Sequence, residues 1–287
     1  MVKIHCLGGF REVGRNAVLV EGKTDKILFE FGLKVESGET PLLPRTKPDA
    51  LFITHGHLDH FGSAPVLYKK WKFPIYGAAP TKDDVDLLLK DSMKICDIKQ
   101  MPQRFSKNQM QKLLSNWRNV KYNRKIKVGK SIVNVYDGGH VPGSSMYVLN
   151  IDGKKILYTG DFKLNPTRIV DGANINVGKI DVLIMETTYS SRDHPARHVM
   201  EKKLGNVVKK TIENGGIAVL PVFALRAAEI LLVLHKQKVK APIYLDGMAK
   251  KATQIMLRYP QFTRNSVELK KALSKVKNIQ RMPERTK

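Results

Sequence analysis

The chain has 287 residues, 42% of them apolar, enough for a packed core, so disordered and fibrous classes are excluded. Its 50 Lys and Arg against 26 Asp and Glu leave a net charge of +24, more than solubility requires, so a polyanion such as nucleic acid is the expected partner. The two cysteines, Cys6 and Cys96, form no C-x-x-C pair, which leaves neither a disulfide framework nor a thiolate zinc site, and no apolar run approaches the ~20 residues of a membrane span.

From the amino end, Val2–Leu7, Ala17–Val20, Ile27–Phe31 and Ala50–Thr54 are apolar or alternating and predict a meander of strands. Thr81 is the expected cap of a helix running to about Asp97, with Val85, Leu88, Leu89 and Met93 near helical spacing, and a second helix is expected over Ser106–Asn116. Segments 131–136, 145–151, 154–159 and 180–186 predict further strands, and the order sheet, helices, sheet suits a layered α/β sandwich. Beyond Pro195 the pattern becomes a helix over 196–213, a buried strand Ile217–Val222, a helix Leu225–Lys236, a strand Ile243–Leu245 and a helix near 247–258. The tail from Thr263 is basic and poorly patterned, with no strand expected. These textures predict two domains, 1–195 and 196–287, in a soluble, cytoplasmic protein with no membrane partner.

The charge is uneven. Residues 61–130 carry 16 Lys and Arg against 5 Asp and Glu, and residues 196–287 carry 20 against 6. Thermophilic chains that raise Lys usually raise Glu with it, so this excess reads as a footprint for phosphates.

The strongest chemical signal is Thr54-His55-Gly56-His57-Leu58-Asp59-His60, directly after an apolar strand-like run. Three imidazoles and a carboxylate at a strand end can converge on one point, and that donor set suits zinc or a similar divalent ion. Two further candidates follow strand-like runs: His140 in Gly138-Gly139-His140-Val141-Pro142-Gly143, and Asp161 in Tyr158-Thr159-Gly160-Asp161. The neighbouring glycines allow the backbone to crowd close to an ion.

These residues resemble the metallo-β-lactamase-fold hydrolases, whose H-x-H-x-D-H motif and later His and Asp ligands bind two zinc ions. Met185-Glu186-Thr187-Thr188-Tyr189, Asp193-His194-Pro195-Ala196-Arg197 and Leu220-Pro221-Val222-Phe223-Ala224 are similar to the β-CASP ribonuclease branch, as is the opening Leu7-Gly8-Gly9-Phe10-Arg11-Glu12-Val13-Gly14-Arg15-Asn16. The resemblance implies an αββα sandwich followed by a β-CASP α/β domain. It implies that His55, His57 and His140 hold one metal and Asp59 and His60 the other, with Asp161 bridging and Glu186 beside them. Asp59, Asp161 and Glu186 are then the expected catalytic residues. RNA is the implied partner, with Arg226, Lys202, Lys203, Lys209, Lys210, Lys250 and Lys251 as candidate phosphate contacts.

Two departures from the family pattern bear on function. Glu30 stands where the group usually has an Asp that orients the ligand loop. Beyond Glu186 the chain offers only His194, His198 and His235, none in the context of the group's two late β-CASP histidines, so the sequence resembles the front two-thirds of a member, with an incomplete sandwich and a partial β-CASP domain. The readings that follow are a zinc-dependent ribonuclease, cutting as an endonuclease, a 5′→3′ exonuclease or both, and a silent RNA-binding scaffold. A second copy, an active paralogue or a second fragment are candidate partners. A small-molecule metallo-hydrolase is a third reading, and the charge argues against it.

Overall fold

The computed structural model describes residues 1–277, which form two compact units. The first comprises Met1–Pro166 and Asp171–Glu186, and the second comprises Thr167–Val170 with Thr187 onward.

Six strands build the first sheet of the first unit: β1 (Lys3–Gly8), β2 (Ala17–Glu21), β3 (Lys26–Phe29), β4 (Ala50–Phe52), β5 (Ile75–Ala78) and β6 (Trp117–Val120), adjacent in that order. β1 to β3 form an antiparallel meander, and β3 to β6 run parallel. Four consecutive residues of β2, Ala17 to Val20, are buried, as continuous apolar runs are when both faces of a strand are covered. The one-turn helices α1 (Leu58–Phe61) and α2 (Ala64–Leu67) follow β4; α3 (Ala79–Ile98) packs on β5 and β6, and α4 (Lys107–Ser115) packs on α2 and α3. Ser106 caps α4 in a reciprocal capping box with Gln109. Thr81 does not cap α3 as expected: the cap position is Ala78, three residues earlier, and the buried Thr81 hydroxyl donates instead to the Gly143 carbonyl at 3.1 Å.

The second sheet has the order β11-β10-β9-β8-β7, made of β7 (Lys125–Val128), β8 (Ser131–Asp137), β9 (Ser145–Ile151), β10 (Lys154–Tyr158) and β11 (Val182–Ile184), antiparallel except for β10 with β11. The two sheets meet through aromatic rings. Phe29 stacks on Tyr158 at 4.9 Å, Phe52 meets Tyr147 edge-on at 5.1 Å, and the buried Tyr147 hydroxyl donates to the Ile53 carbonyl at 2.7 Å. On the other face of the second sheet, Met146, Val148 and Leu157 are covered by Phe162, Ala173, Val177 and Ile180, which belong to an irregular segment rather than a helix.

The second unit is mostly helical: α5 (Arg197–Glu213), a 3-10 turn (Ala224–Arg226), α6 (Ala227–Lys236), α7 (Met248–Arg258) and α8 (Ser266–Ser274). Its core joins Leu225, Leu231 and Leu232 to Ile255, Met256 and Leu269. Thr167–Val170 is held there by carboxylates: Glu229 accepts from the Arg168 and Ile169 amides at 2.9 and 3.1 Å and from the Arg197 guanidinium, and Glu201 accepts from Arg168 Nε at 3.1 Å. Two expectations fail in this unit. Ile217–Val222 is not a buried strand: Ile217 is 87% exposed, and the segment has no sheet neighbour among the described residues, so its β-forming side chains have nothing to pair with. The tail from Thr263 is patterned over its described part, forming α8 and then β13 (Val276–Lys277), which pairs in parallel with β12 (Ile243–Tyr244); the rest of that expectation, 278–287, lies outside the described residues. No helix among the described residues is long and apolar enough to cross a membrane.

Candidate metal centre

Strand β4 delivers the histidine loop to the end of the parallel sheet, where backbone bonds from the residue before β2 and from the segment after β3 pin it. The Asn16 amide donates to the Asp59 carbonyl at 2.9 Å, Phe31 to His60 at 2.9 Å and Leu33 to Leu58 at 3.0 Å. The approach is so close at Gly32 that a Cβ there would lie 1.7 Å from the Asp59 carbonyl oxygen. His140 is fixed by its own turn, in which its amide donates to Ser144 Oγ at 3.0 Å; the turn is tied to the histidine loop by the Ser145 amide donating to the Thr54 carbonyl at 2.8 Å. Gly160, at φ +54°, carries the chain past Thr54 to Asp161, and a Cβ there would meet Thr54 Oγ1 at 2.5 Å.

These turns gather six candidate ligands. His55 Nε2 lies 2.9 Å from His57 Nδ1, and His140 Nε2 lies 3.4 Å from His57 Nδ1. Asp161 Oδ2 is 3.8 Å from His55 Nε2 and 3.5 Å from His140 Nε2. The other oxygen, Oδ1, is 3.4 Å from His60 Nε2, which is also 3.4 Å from Asp59 Oδ2. Ligands at tetrahedral zinc, with bonds of about 2.0–2.1 Å, are separated from one another by about 3.3 Å. The four donors of His55, His57, His140 and Asp161 all lie within 4.8 Å of one another, so their chemistry and spacing fit one divalent ion. On the other side Asp59 and His60 share Asp161, and His194, His198 and His235 join no such group among the described residues.

Glu30, fully buried at φ +61°, organises the base of the site. It accepts from the Thr54 hydroxyl, from His60 Nδ1 at 2.6 Å and from the Tyr158 hydroxyl at 2.8 Å. The family resemblance singled out Glu30, as the residue standing where the group usually has an Asp, whereas its partners Thr54 and Tyr158 carry no local signal. Burial alone would lower the His60 pKa, but the charges of Glu30, Asp161 and Asp59 outweigh it and hold it well above the ordinary value. Burial alone would raise Asp161, but the neighbouring charge and hydrogen bond of His60, with His140 and His57, hold it well below the usual carboxylate range; Asp59 is lowered by the same His60 charge against its own burial.

Glu186 joins no metal-binding group among the described residues. It lies two residues beyond β11 and leaves the sheet at the same end as Asp161, since β10 and β11 are parallel with Tyr158 beside Ile184. The phosphate-contact candidates all lie in the second unit: Lys202, Lys203, Lys210 and Lys251 are exposed, while Lys209, Lys250 and Arg226 are partly buried.

Comparison with known proteins gives the family. Residues 11–199 match the metallo-beta-lactamase superfamily. The chain is 37% identical over 98% of its length to a probable RNase MJ4 of Methanocaldococcus jannaschii, spanning 67% of that protein. It is 32% identical over 94% of its length to an RNase aCSPSF2 of Saccharolobus solfataricus, spanning 56% of it. It is also 33% identical over 91% of its length to the transcription termination factor FttA of Pyrococcus abyssi, spanning 44% of it. The chain thus spans between about half and two-thirds of these relatives. A crystal structure of a protein of unknown function from Enterococcus faecalis V583 shares the fold, with a TM-score of 0.54 over 89% of this chain and 67% of that one, at 17% identity. Fold, histidine cluster and relatives agree: the chain belongs to the metallo-beta-lactamase superfamily, in its β-CASP ribonuclease branch.

Proposed function

We propose that this protein hydrolyses phosphodiester bonds in single-stranded RNA, with zinc held by His55, His57, His140 and Asp161 and a second ion held between Asp161, Asp59 and His60. The single observation that carries this reading is the position of Asp161, whose two carboxylate oxygens face His55 and His140 on one side and His60 on the other. Two divalent ions held by these residues would polarise a phosphoryl oxygen and lower the pKa of a bound water to about 7. The chain's own part is positional. Glu30 accepts the hydrogen bond from His60 Nδ1, which turns Nε2 toward Asp161, and the depressed Asp161 and Asp59 carboxyls stay ionised across the neutral range. Glu186, leaving the same sheet end, stands as a catalytic carboxylate of the group pattern, and Lys202, Lys203, Arg226, Lys250 and Lys251 are the proposed grips on the RNA backbone. The relatives named as RNases support this substrate class, and the +24 charge suits it. The same features support a cytoplasmic role in RNA processing.

A silent RNA-binding subunit is the second reading. It is favoured by the second metal position, where Asp59, His60 and Asp161 form no compact ligand group of their own among the described residues. A labelled single-stranded RNA incubated with zinc-loaded protein separates the two. Cleavage that is abolished by chelator and falls at least ~100-fold in His57→Ala supports the ribonuclease, whereas RNA that is bound but cut no faster than by His57→Ala supports the silent subunit.

A further inference from the structure

The amino ends of β5 and β6, at the opposite end of the parallel strands from the histidine loop, carry a second concentration of positive charge. Two adjoining clefts of about 510 and 340 Å³ open there, sharing Lys72, Ser115 and Asn116 in their walls. Exposed Lys69, Lys70, Lys72, Lys112 and Arg118 line them, and among the described residues none of these cations has a carboxylate within salt-bridge reach. The sequence explains why: no Asp or Glu occurs between His60 and Thr81, and between Asp97 and Asp137 there are ten Lys and Arg without one acid. Cations left without acidic partners on one surface repel one another, and a polyanion relieves that repulsion while releasing its own counterions.

Aromatic side chains accompany the charge. The chain has two tryptophans, and both Trp71 and Trp117 line these clefts. Trp117 is buried, its indole N–H donating to the Gly77 carbonyl at 3.2 Å, whereas Trp71 is partly exposed with the Lys70 ammonium 4.8 Å from its ring. Lysines that track phosphates beside an indole face that can stack on a base are the elements of a single-stranded nucleic-acid site. β5 alone interposes four residues, at about 3.3 Å each, between these clefts and the metal-site end of the sheet.

We propose that Lys69, Lys70, Trp71, Lys72, Lys112 and Arg118 form a second binding site for single-stranded RNA on the metal-bearing unit, remote from the metal centre. The site stands on its own charge and aromatic geometry; the choice of RNA as the polyanion rests on the ribonuclease reading.

Because both tryptophans lie here, intrinsic fluorescence reports this site directly. The test titrates oligouridine of about 12 nucleotides into the whole chain in chelator, so that nothing is cut, and compares wild type with the double variant Lys70→Glu, Lys72→Glu. The expected result is quenching by the oligonucleotide but not by uridine monophosphate at equal nucleotide concentration. The double variant, with an unchanged circular-dichroism spectrum, binds at least ~10-fold more weakly and loses about 1.4 from its salt slope, or 0.7 for each cation removed. Absent quenching, equal quenching by the mononucleotide, or unchanged affinity in the variant overturns the proposal. Loss of RNA cleavage in His57→Ala leaves it standing, and its own failure with cleavage intact leaves the ribonuclease reading standing.

Discussion

Glu30 holds His60 by the Nδ1 nitrogen, 2.6 Å from its Oε2 oxygen, with both side chains withdrawn from solvent. The bond makes one ring nitrogen a donor to the protein interior and leaves the other, Nε2, directed at Asp161 and Asp59. The orientation of a candidate metal ligand is thus set by a carboxylate that is itself fixed by Thr54 and Tyr158.

Glu30→Gln keeps the shape but removes the charge. Partners that orient metal-binding histidines typically contribute 10–100-fold to affinity, so zinc binding at the His60 side weakens by about that factor in competition with a chromogenic chelator. Unchanged affinity at both sites contradicts this role for Glu30.

Asp137 at the end of β8 provides a pH-dependent contribution to stability. Burial raises its pKa from the ordinary 3.8 to about 6, against the hydrogen bond from the Gly139 amide and that from Tyr122. The folded state therefore holds this proton more tightly than the unfolded chain, and stability falls as pH rises from about 4 to about 6, by up to about 3 kcal/mol at 1.36 kcal/mol per pKa unit. Asp137→Asn removes that slope, and urea unfolding of both proteins at a series of pH values shows it; parallel curves contradict the assignment.

Glu229 in the second unit is buried beneath three donors: the Arg168 amide, the Ile169 amide and the Arg197 guanidinium. Glu229→Ala leaves them without that acceptor, while Arg197 keeps Glu201 as a partner, so the variant loses about 1–3 kcal/mol, seen as a lower urea midpoint with little change in slope. A loss below about 1 kcal/mol indicates that the carboxylate is solvated rather than structural.

The candidate metal cluster was legible in the sequence because four of its six members, His55, His57, His140 and Asp161, sit directly beside a glycine shortly after a strand, where type and spacing already restrict the backbone. His55 and His57 lie in the turn after β4 and Asp59 and His60 in α1 directly behind it, and the backbone bond from Ser145 to Thr54 brings the His140 turn to them. The rest of the support was less visible. Thr54 and Tyr158 meet Glu30 across 24 and 128 residues, distances that no local pattern spans. Strands β5, β6 and β7, four residues each, are too short to show a period, and Trp117 to Val120 has only its two ends buried. Ile217–Val222 failed for the opposite reason: its composition suits a strand, but strand formation depends on neighbours, and the described residues supply none.

Anomalous diffraction at the zinc edge from crystals of the zinc-loaded protein tests the central claim most directly. The account predicts a peak bounded by His55 Nε2, His57 Nδ1, His140 Nε2 and Asp161 Oδ2, each at about 2.0–2.2 Å, that disappears in His57→Ala. Zinc bound only at other residues, or no zinc at this cluster in the loaded protein, contradicts it.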